Sequence, residues 1–347
     1  PNILFLLVDD MQSDAIAALG NKNVYTPNID GLIAEGVTFT RTYTNGALCG
    51  ALSMPSRAML MTGRGVFEVQ SDGMKIPECM VTLPEQLRAN GYQTFATGKW
   101  HSDHASFNRS FAAGENIFFG GMHPYEKNGH CSPRLHHYDK TGQYKETSFI
   151  GEEFSSKMFA DAAIEFLSTA AKAQKPFMAF VSFTSPHDPR NQLPDYGKKY
   201  KAKDIILPTN FLPQHPFDNG ELAIRDEQIL PPPRTGEQLQ EELALYYGMV
   251  SEVDEQIGRV LNALDATGER ERTVIVFASD NGLAMGQNGL LGKQSLYEHS
   301  VGVPMLIIDP RSKKHGFKTD ALCYLYDLYP TCLLYTSPSP RDAHESR

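Results

Sequence analysis

Cysteine is scarce in this 347-residue chain: Cys49, Cys79, Cys131, Cys323 and Cys332 are odd in number, scattered, and include no C-x-x-C pair. That spacing offers neither a zinc site nor a disulfide framework, and it leaves the redox compartment open. Positive charge is also short, with 32 Lys and Arg against 41 Asp and Glu and a net charge of −9. No basic run and no basic-aromatic alternation occurs, so neither nucleic acid nor an anionic membrane surface is an expected partner. No apolar run reaches the roughly 18 residues of a membrane span, so no transmembrane segment is expected. A chain that opens on Pro1 leaves room for a signal peptide removed or not captured. The remainder is ordinary for a globular protein, 41% hydrophobic and 21% charged, which suits one large domain.

Apolar runs that end in polar clusters set the plan of the chain. Residues 2–8 are an apolar run that predicts a central parallel strand, with Asp9 and Asp10 at its carboxyl end. Sites in open α/β sheets form at that end. Adjacent strand residues point to opposite faces, so these carboxylates converge only if the chain turns there. Two neighbouring anions then call for a hard divalent cation with oxygen ligands, whereas a solvated turn is the plainer alternative.

The same pattern recurs along the chain. Helices over 28–35 and 83–90 precede strands over 37–42 and 92–97, the second running into Gly98-Lys99-Trp100-His101. Taken alone, Lys99 reads as a surface lysine and His101 as a core histidine. An amphipathic helix over 152–172 and a buried strand over 177–183 deliver Ser185-Pro186-His187-Asp188-Pro189-Arg190, whose prolines are expected to hold His187 in an extended, rigid loop. A long helix over 238–266 and a β-branched strand over 273–278 lead into Ser279-Asp280-Asn281-Gly282, a second carboxylate-and-amide pair at a strand end. Residues 303–308 read as a last buried strand and 320–333 as a helix. This alternation predicts an α/β fold with a mostly parallel sheet.

Three stretches are less regular. Residues 102–148 read as a long ordered insertion over the site, in which His104, Arg109, His123, His136 and His137 are available for substrate, each with a surface position as the plainer reading. Residues 191–235 carry seven prolines, cannot hold a long helix or a central strand, and are expected to wall the pocket. Residues 286–292 read as flexible, leading to Lys293.

The most informative stretch is Ser53-Met54-Pro55-Ser56-Arg57-Ala58-Met59-Leu60-Met61-Thr62-Gly63-Arg64. Pro55 suits the first turn of a helix and puts Ser53 near its N-terminus, where free N–H groups and the helix dipole favour an anion. Arg57, one turn on, can reach back over the same spot. An ordinary capped helix with a surface arginine is the plainer alternative.

The spacing Ser-x-Pro-Ser-Arg followed by Thr-Gly-Arg resembles the signature of the type I sulfatases, in the alkaline-phosphatase superfamily. In that family the first residue, Cys or less often Ser, is oxidised after translation to formylglycine. Cys49 is a rival, but it has no proline two residues on and no arginine four on, and it reads as a small buried apolar residue. The other polar clusters resemble further family motifs in the family's order, over residues 1–333. The resemblance implies an alkaline-phosphatase-like fold, a large mixed and mostly parallel sheet with helices on both faces, here without the small C-terminal subdomain. It implies hydrolysis of a sulfate ester, with a sulfated small molecule or glycan as substrate and polysaccharide as the expected source.

By the same resemblance one calcium ion binds Asp9, Asp10, Asp280, Asn281 and the modified Ser53. Arg57 holds the formylglycine hydrate, and Lys99 and Lys293 offset the sulfate charge. His187 protonates the leaving alcohol and His101 takes the hydrate proton, an assignment of the two histidines that can be reversed. A formylglycine-generating maturation enzyme and a periplasmic or secreted location in a bacterium are implied as well. Two alternatives fit these residues: a phosphatase or phosphonate monoester hydrolase on the same scaffold, and a non-catalytic sulfated-glycan binding protein or inactive fragment in which Ser53 stays unmodified. Residues 334–347, with Ser337-Pro338-Ser339-Pro340, resemble translated cloning-adaptor sequence and are expected to be a foreign, disordered tail.

Overall fold

The first strand, β1 (Asn2–Val8), is buried at every position because its alternate side chains serve two cores. Leu4, Leu6 and Val8 enter one cluster; Ile3, Phe5 and Leu7 enter the other. The computed structural model in which this is seen describes residues 1–69, 74–173, 175–191 and 193–336. The other strands are β2 (Val37–Tyr43), β3 (Gln93–Lys99), β4 (Ala113–Phe118), β5 (Arg134–His136), β6 (Ser148–Ile150), β7 (Phe177–Ser182), β8 (Thr273–Ser279), β9 (Gly302–Ile308), β10 (Phe317–Thr319) and β11 (Cys323–Tyr324). They form one sheet in the order β10-β2-β9-β8-β1-β7-β3-β4-β5-β6, with β11 beside β2. The centre, β8-β1-β7-β3-β4, is parallel, whereas β9 runs antiparallel to both β8 and β2. This is the large mixed, mostly parallel sheet expected.

Helices cover both faces. On one lie α1 (Pro27–Glu35) and, further along the chain, α5 (Ser155–Ala170) and α8 (Gly236–Thr267). On the other lie α2 (Ser53–Thr62), α3 (Leu83–Ala89) and α4 (His104–Ser110), together with the C-terminal α10 (Leu328–Thr336). Three one-turn helices complete the set: α6 (Pro194–Gly197), α7 (Arg225–Gln228) and α9 (Glu298–Val301). Helix α8 is 32 residues long, with a capping box from Thr235 and Gln238 at its start and Gly268 in the left-handed conformation at its end.

Four expectations need correction. Residues 102–148 are not a loop insertion: they supply α4, β4 and β5 and lead into β6, which extend the sheet edge. The helix expected over 320–333 begins at Leu328, because Cys323–Tyr324 pairs with β2. Residues 286–292 are mostly buried, tied by Gly286 N to Leu290 O at 2.8 Å and by the Glu227 carboxylate. Cys49 is only partly buried; the buried cysteine is Cys332. Residues 334–336 finish α10, and the rest of the expected tail, 337–347, lies outside the described residues.

Candidate active site

The polar clusters meet where the sheet physics puts them, at the carboxyl ends of β1, β3, β7 and β8, facing the N-terminus of α2. Asp9 and Asp10 converge because the chain does turn there: Asp10 has φ +63°, the left-handed region that Asp tolerates better than most residues. Its N–H donates to Asp280 Oδ1 at 3.2 Å, joining the ends of β1 and β8. Gly98, at the end of β3, has φ +85°, and a Cβ there would lie 1.9 Å from Ser182 O. Only glycine lets β3 pass β7 this closely before the chain turns out to Lys99 and His101.

Ser53 is the first residue of α2 and its side chain does not cap the helix. Instead Oγ points into the cluster, 3.3 Å from Asp9 Oδ1, and accepts from Asn281 Nδ2 and Lys293 Nζ at 3.1 Å each. Lys99 Nζ lies 2.6 Å from Asp9 Oδ2, and Lys293 Nζ bonds both oxygens of Asp10 at 2.6 and 2.7 Å. Arg57 is hydrogen-bonded away from Ser53. Its Nε donates to Asp280 Oδ2 at 2.8 Å, and Nη1 donates to Lys99 O and Ser182 Oγ at 2.8 and 2.6 Å. Nη2, 3.9 Å from Asp9 Oδ1, is buried without a hydrogen-bond partner.

Three carboxylates thus face three cations in a water-poor floor, and the balance differs from one carboxylate to the next. Burial pushes the Asp9 carboxyl up, but Lys99, His187, Arg57 and Lys293 outweigh it and hold Asp9 well below the usual range. Burial carries Asp10 up to about 6, with Asp9 and Asp280 adding to the rise against Lys293 and His187. Burial works against the Lys293 charge too, yet Asp10, Asp9 and Asp280 lift its pKa. Donor atoms of Asp9, Asp10 and His187 lie within 4.8 Å of one another, which makes this a place able to hold a cation.

His187 sits in a turn, not in the extended loop expected, with its N–H on Thr184 O at 3.2 Å. Its Nδ1 donates to Asp188 O at 2.7 Å, which turns Nε2 toward the floor, 3.5 Å from Asp10 Oδ2. Beneath it the buried His130 bonds the His187 carbonyl through Nε2 at 3.0 Å and Ser155 Oγ through Nδ1 at 2.9 Å. His101 (φ +60°) lines the opposite wall, its Nδ1 unpartnered. Burial, reinforced by Lys99 and Arg57, holds its pKa well below the usual imidazole range, which favours the neutral ring.

All ten sequence-predicted residues therefore meet in one place, at a cleft of about 390 Å³ that Ser53, His101, His187 and Lys293 help to line. The five side chains offered by the 102–148 segment do not reach it. His123 is buried on Thr184 Oγ1 at 3.1 Å, Arg109 is spent on Glu85 at 2.6 Å and on backbone carbonyls, and His104, His136 and His137 pack among rings or on Glu115. Sequence reasoning missed Arg225, Asp226 and Gln294, which also line the cleft. It missed Glu227 too, whose carboxylate takes the N–H of Leu291 and Gly292 and pairs with Arg234 at 2.6 Å, locking the Lys293 loop. The one available signal was the charged triplet Arg225-Asp226-Glu227 interrupting a proline-rich segment.

Comparison with known proteins places the chain in a family. The family model described as Sulfatase matches residues 1–337. A curated relative, the ulvan-active sulfatase of Formosa agariphila, is 31% identical over 346 residues, covering 96% of this chain and 61% of that protein. The N-acetylglucosamine-6-O-sulfatase of Bacteroides thetaiotaomicron is 26% identical, covering 96% and 67%. The crystal structure of the putative sulfatase yidJ from Bacteroides fragilis superposes with a TM-score of 0.76 at 25% identity, over 96% of this chain and 73% of that one. The chain thus spans about two thirds of the length of these curated relatives.

Proposed function

The chain belongs to the sulfatase family, and from that premise we propose that it hydrolyses sulfate esters, carbohydrate sulfates above all, with Ser53 converted to formylglycine and one calcium ion beside it. The observation that carries the reading is the Ser53 hydroxyl, aimed from the head of α2 at Asp9, Asn281 and Lys293. An unmodified serine is a weak nucleophile near neutrality, and the carboxylate its hydroxyl donates to, Asp9, is held against its burial well below the usual range by Lys99 and its other cations and is a poor base. Formylglycine, as its hydrate, supplies one oxygen to attack sulfur and a second hydroxyl whose deprotonation expels the sulfate. The residues fit it: Arg57 Nη2 is a buried donor still lacking an acceptor, and His101 Nδ1 is a buried ring nitrogen without a partner.

Asp9, Asp10, Asp280, Asn281 and residue 53 are the ligands assigned to calcium, a hard-oxygen set suited to it, and the ion would act as Lewis acid and template. His187 lies within reach of the same position and is the leaving-group acid in this reading. Lys99, Lys293 and Arg57 already match three carboxylates, so a dication is balanced only when the ester anion and an ionised diol oxygen arrive. Lys99 and Lys293 then act as preorganised donors to the sulfate oxygens.

Mass spectrometry of the Ser53 peptide, with kinetics on aryl sulfate and aryl phosphate, tests the reading. Conversion costs the serine two hydrogens, about two mass units, and must be supplied by a maturation enzyme in the expression host. Modified protein that prefers the sulfate supports the proposal. Active protein carrying only serine overturns the mechanism, and a preference for phosphate moves the chain to the phosphatase and phosphonate hydrolase alternative. Among the described residues no helix is long and apolar enough to cross a membrane. A periplasmic or secreted location is part of the same proposal, checked by fractionating the source cells.

A further inference from the structure

Above the floor, the cleft wall carries polar groups that sulfate chemistry leaves unused. Arg225 and Asp226 begin the one-turn helix α7, and Gln294 follows Lys293 directly; all three line the cleft. They are joined into one strip. The Arg225 guanidinium bonds both carboxylate oxygens of Asp188, Nη2 to Oδ1 at 3.2 Å, and Nη2 also lies 2.5 Å from Asp226 Oδ1. Gln294 Nε2 donates to Asp226 Oδ2 and to Gly50 O, each at 3.0 Å. Tyr125 donates its hydroxyl to Asp188 Oδ2 at 2.9 Å. The strip therefore runs from His187, through its neighbour Asp188, across the mouth to the Lys293 loop.

Its two carboxylates are unequally paired. Against its burial, Asp188 is held below the usual carboxylate range by His187, Arg225 and Arg190, although Arg190 also takes Glu242 at 2.8 Å. Asp226 meets Arg225, whose side chain is 44% exposed, and Gln294, with Lys293 nearby. Of the five N–H donors of Arg225, three are used in these contacts, which leaves two for a ligand.

We propose that Arg225, Asp226 and Gln294 form the specificity-determining subsite for the ring that bears the sulfate, and that this ring is a neutral, hydroxyl-rich sugar. The proposal rests on the sulfatase reading and narrows its substrate class. A sugar hydroxyl can accept from Arg225 and donate to Asp226, the paired demand that this strip makes and that an aryl ring cannot meet. A second anion on the same ring, a carboxylate or another sulfate, set against Asp226 meets a like charge and is disfavoured relative to a hydroxyl.

The experiment compares wild type, Asp226→Asn and Gln294→Ala on three probes: p-nitrophenyl sulfate, a monosulfated neutral hexose and a monosulfated hexuronic acid. The readout is the ratio of kcat/KM values between probes, which global damage to the site does not move. We expect the hexose-to-aryl ratio to fall about tenfold or more in Asp226→Asn and several-fold in Gln294→Ala, because a site built to bond hydroxyls loses that advantage. The uronate-to-hexose ratio, low in wild type, should rise about tenfold in Asp226→Asn as the like charge of Asp226 is removed. Gln294→Ala keeps the test decisive if Asp226→Asn fails to fold. Hydrolysis of aryl sulfate with hexose-to-aryl ratios unmoved by the substitutions, or wild-type preference for the uronate, overturns this proposal alone. Failure of formylglycine-bearing protein to hydrolyse any probe overturns the sulfatase reading and this proposal with it.

Discussion

The floor of the cleft and its wall use the same kinds of side chain on opposite plans. On the floor Asp9, Asp10, Arg57, Lys99, Asp280 and Lys293 are each at most 4% exposed, and most are mounted at the ends of neighbouring parallel strands. Their spacing is inherited from sheet register and core packing, so it moves only if the core moves. The wall residues Arg225 and Asp226 come from the one-turn helix α7 and Gln294 from a loop, and they hold one another more than the core holds them. A buried, charge-balanced floor suits one reaction on many esters, whereas a loop-borne wall can change its preference without disturbing the chemistry beneath.

Ser53→Ala is the sharpest way to break that comparison. If the floor is the reaction centre, the substitution lowers kcat by at least about 10^4-fold and leaves the melting temperature near wild type, because Asp9, Asn281 and Lys293 surround an atom that packs little. Retained activity would place the chemistry elsewhere. Arg57→Met is the next largest effect. It strands the buried Asp280 carboxylate, bonded by Arg57 Nε at 2.8 Å, and should cost about 3–5 kcal/mol in urea unfolding. Saturating calcium should shrink that loss, since a dication takes over the neutralisation; an equal loss with and without calcium would contradict the assigned ligands. Glu227→Gln tests how the floor depends on the segment behind the wall. It weakens charged acceptors for two backbone N–H groups and for Arg234, at about 1.5–3 kcal/mol, and a fall in kcat exceeding any rise in KM would show that Lys293 has lost its position.

The same contrast explains what could be read without coordinates. β1, β7 and β8 were legible because each is a largely apolar run, and β3, interrupted by Thr94 and Thr97, because Gly91 stops the helix before it; the floor was legible because each strand stops at a polar cluster. The periodicity that signals a buried strand also marks where the chain leaves the core. Strands β5 and β6 are three residues each, too short to show alternation, and they exist only by pairing across 134–150, so residues 102–148 read as loop. The Arg57 side chain was aimed by helical spacing at Ser53, but it is long enough to pass below α2 to Asp280, Lys99 and Ser182, a target set by tertiary packing. The wall stayed hidden because Arg225 and Asp226 gain meaning only from Asp188 and Gln294, which are remote in sequence.

Glu252 sharpens the floor by counterexample, and its effect is read as a slope against pH. Like Asp9 it is a fully buried carboxyl, yet in α8 it faces no paired cation, and its Oε2 has no partner. Burial pushes its pKa up from 4.5 to about 8, with Glu255 adding to the rise and Ser156, Gln256 and Arg259 only partly opposing it. At pH below 4.5 both folded and unfolded chains hold this proton, so the contribution of the neutral form to stability is complete. Between 4.5 and about 8 the unfolded chain releases the proton while the folded chain keeps it, so stability falls as pH rises, and above about 8 the loss is complete. The slope from this group is at most about 1.4 kcal/mol per pH unit. Glu252→Gln removes the titrating group while keeping its shape, so its unfolding free energy should decline less steeply from pH 5 to 8, and the variant should gain on wild type as pH rises. Parallel curves would mean that Glu252 ionises in the fold as easily as outside it, and that deep burial by itself, without the cations of the floor, tolerates a carboxylate.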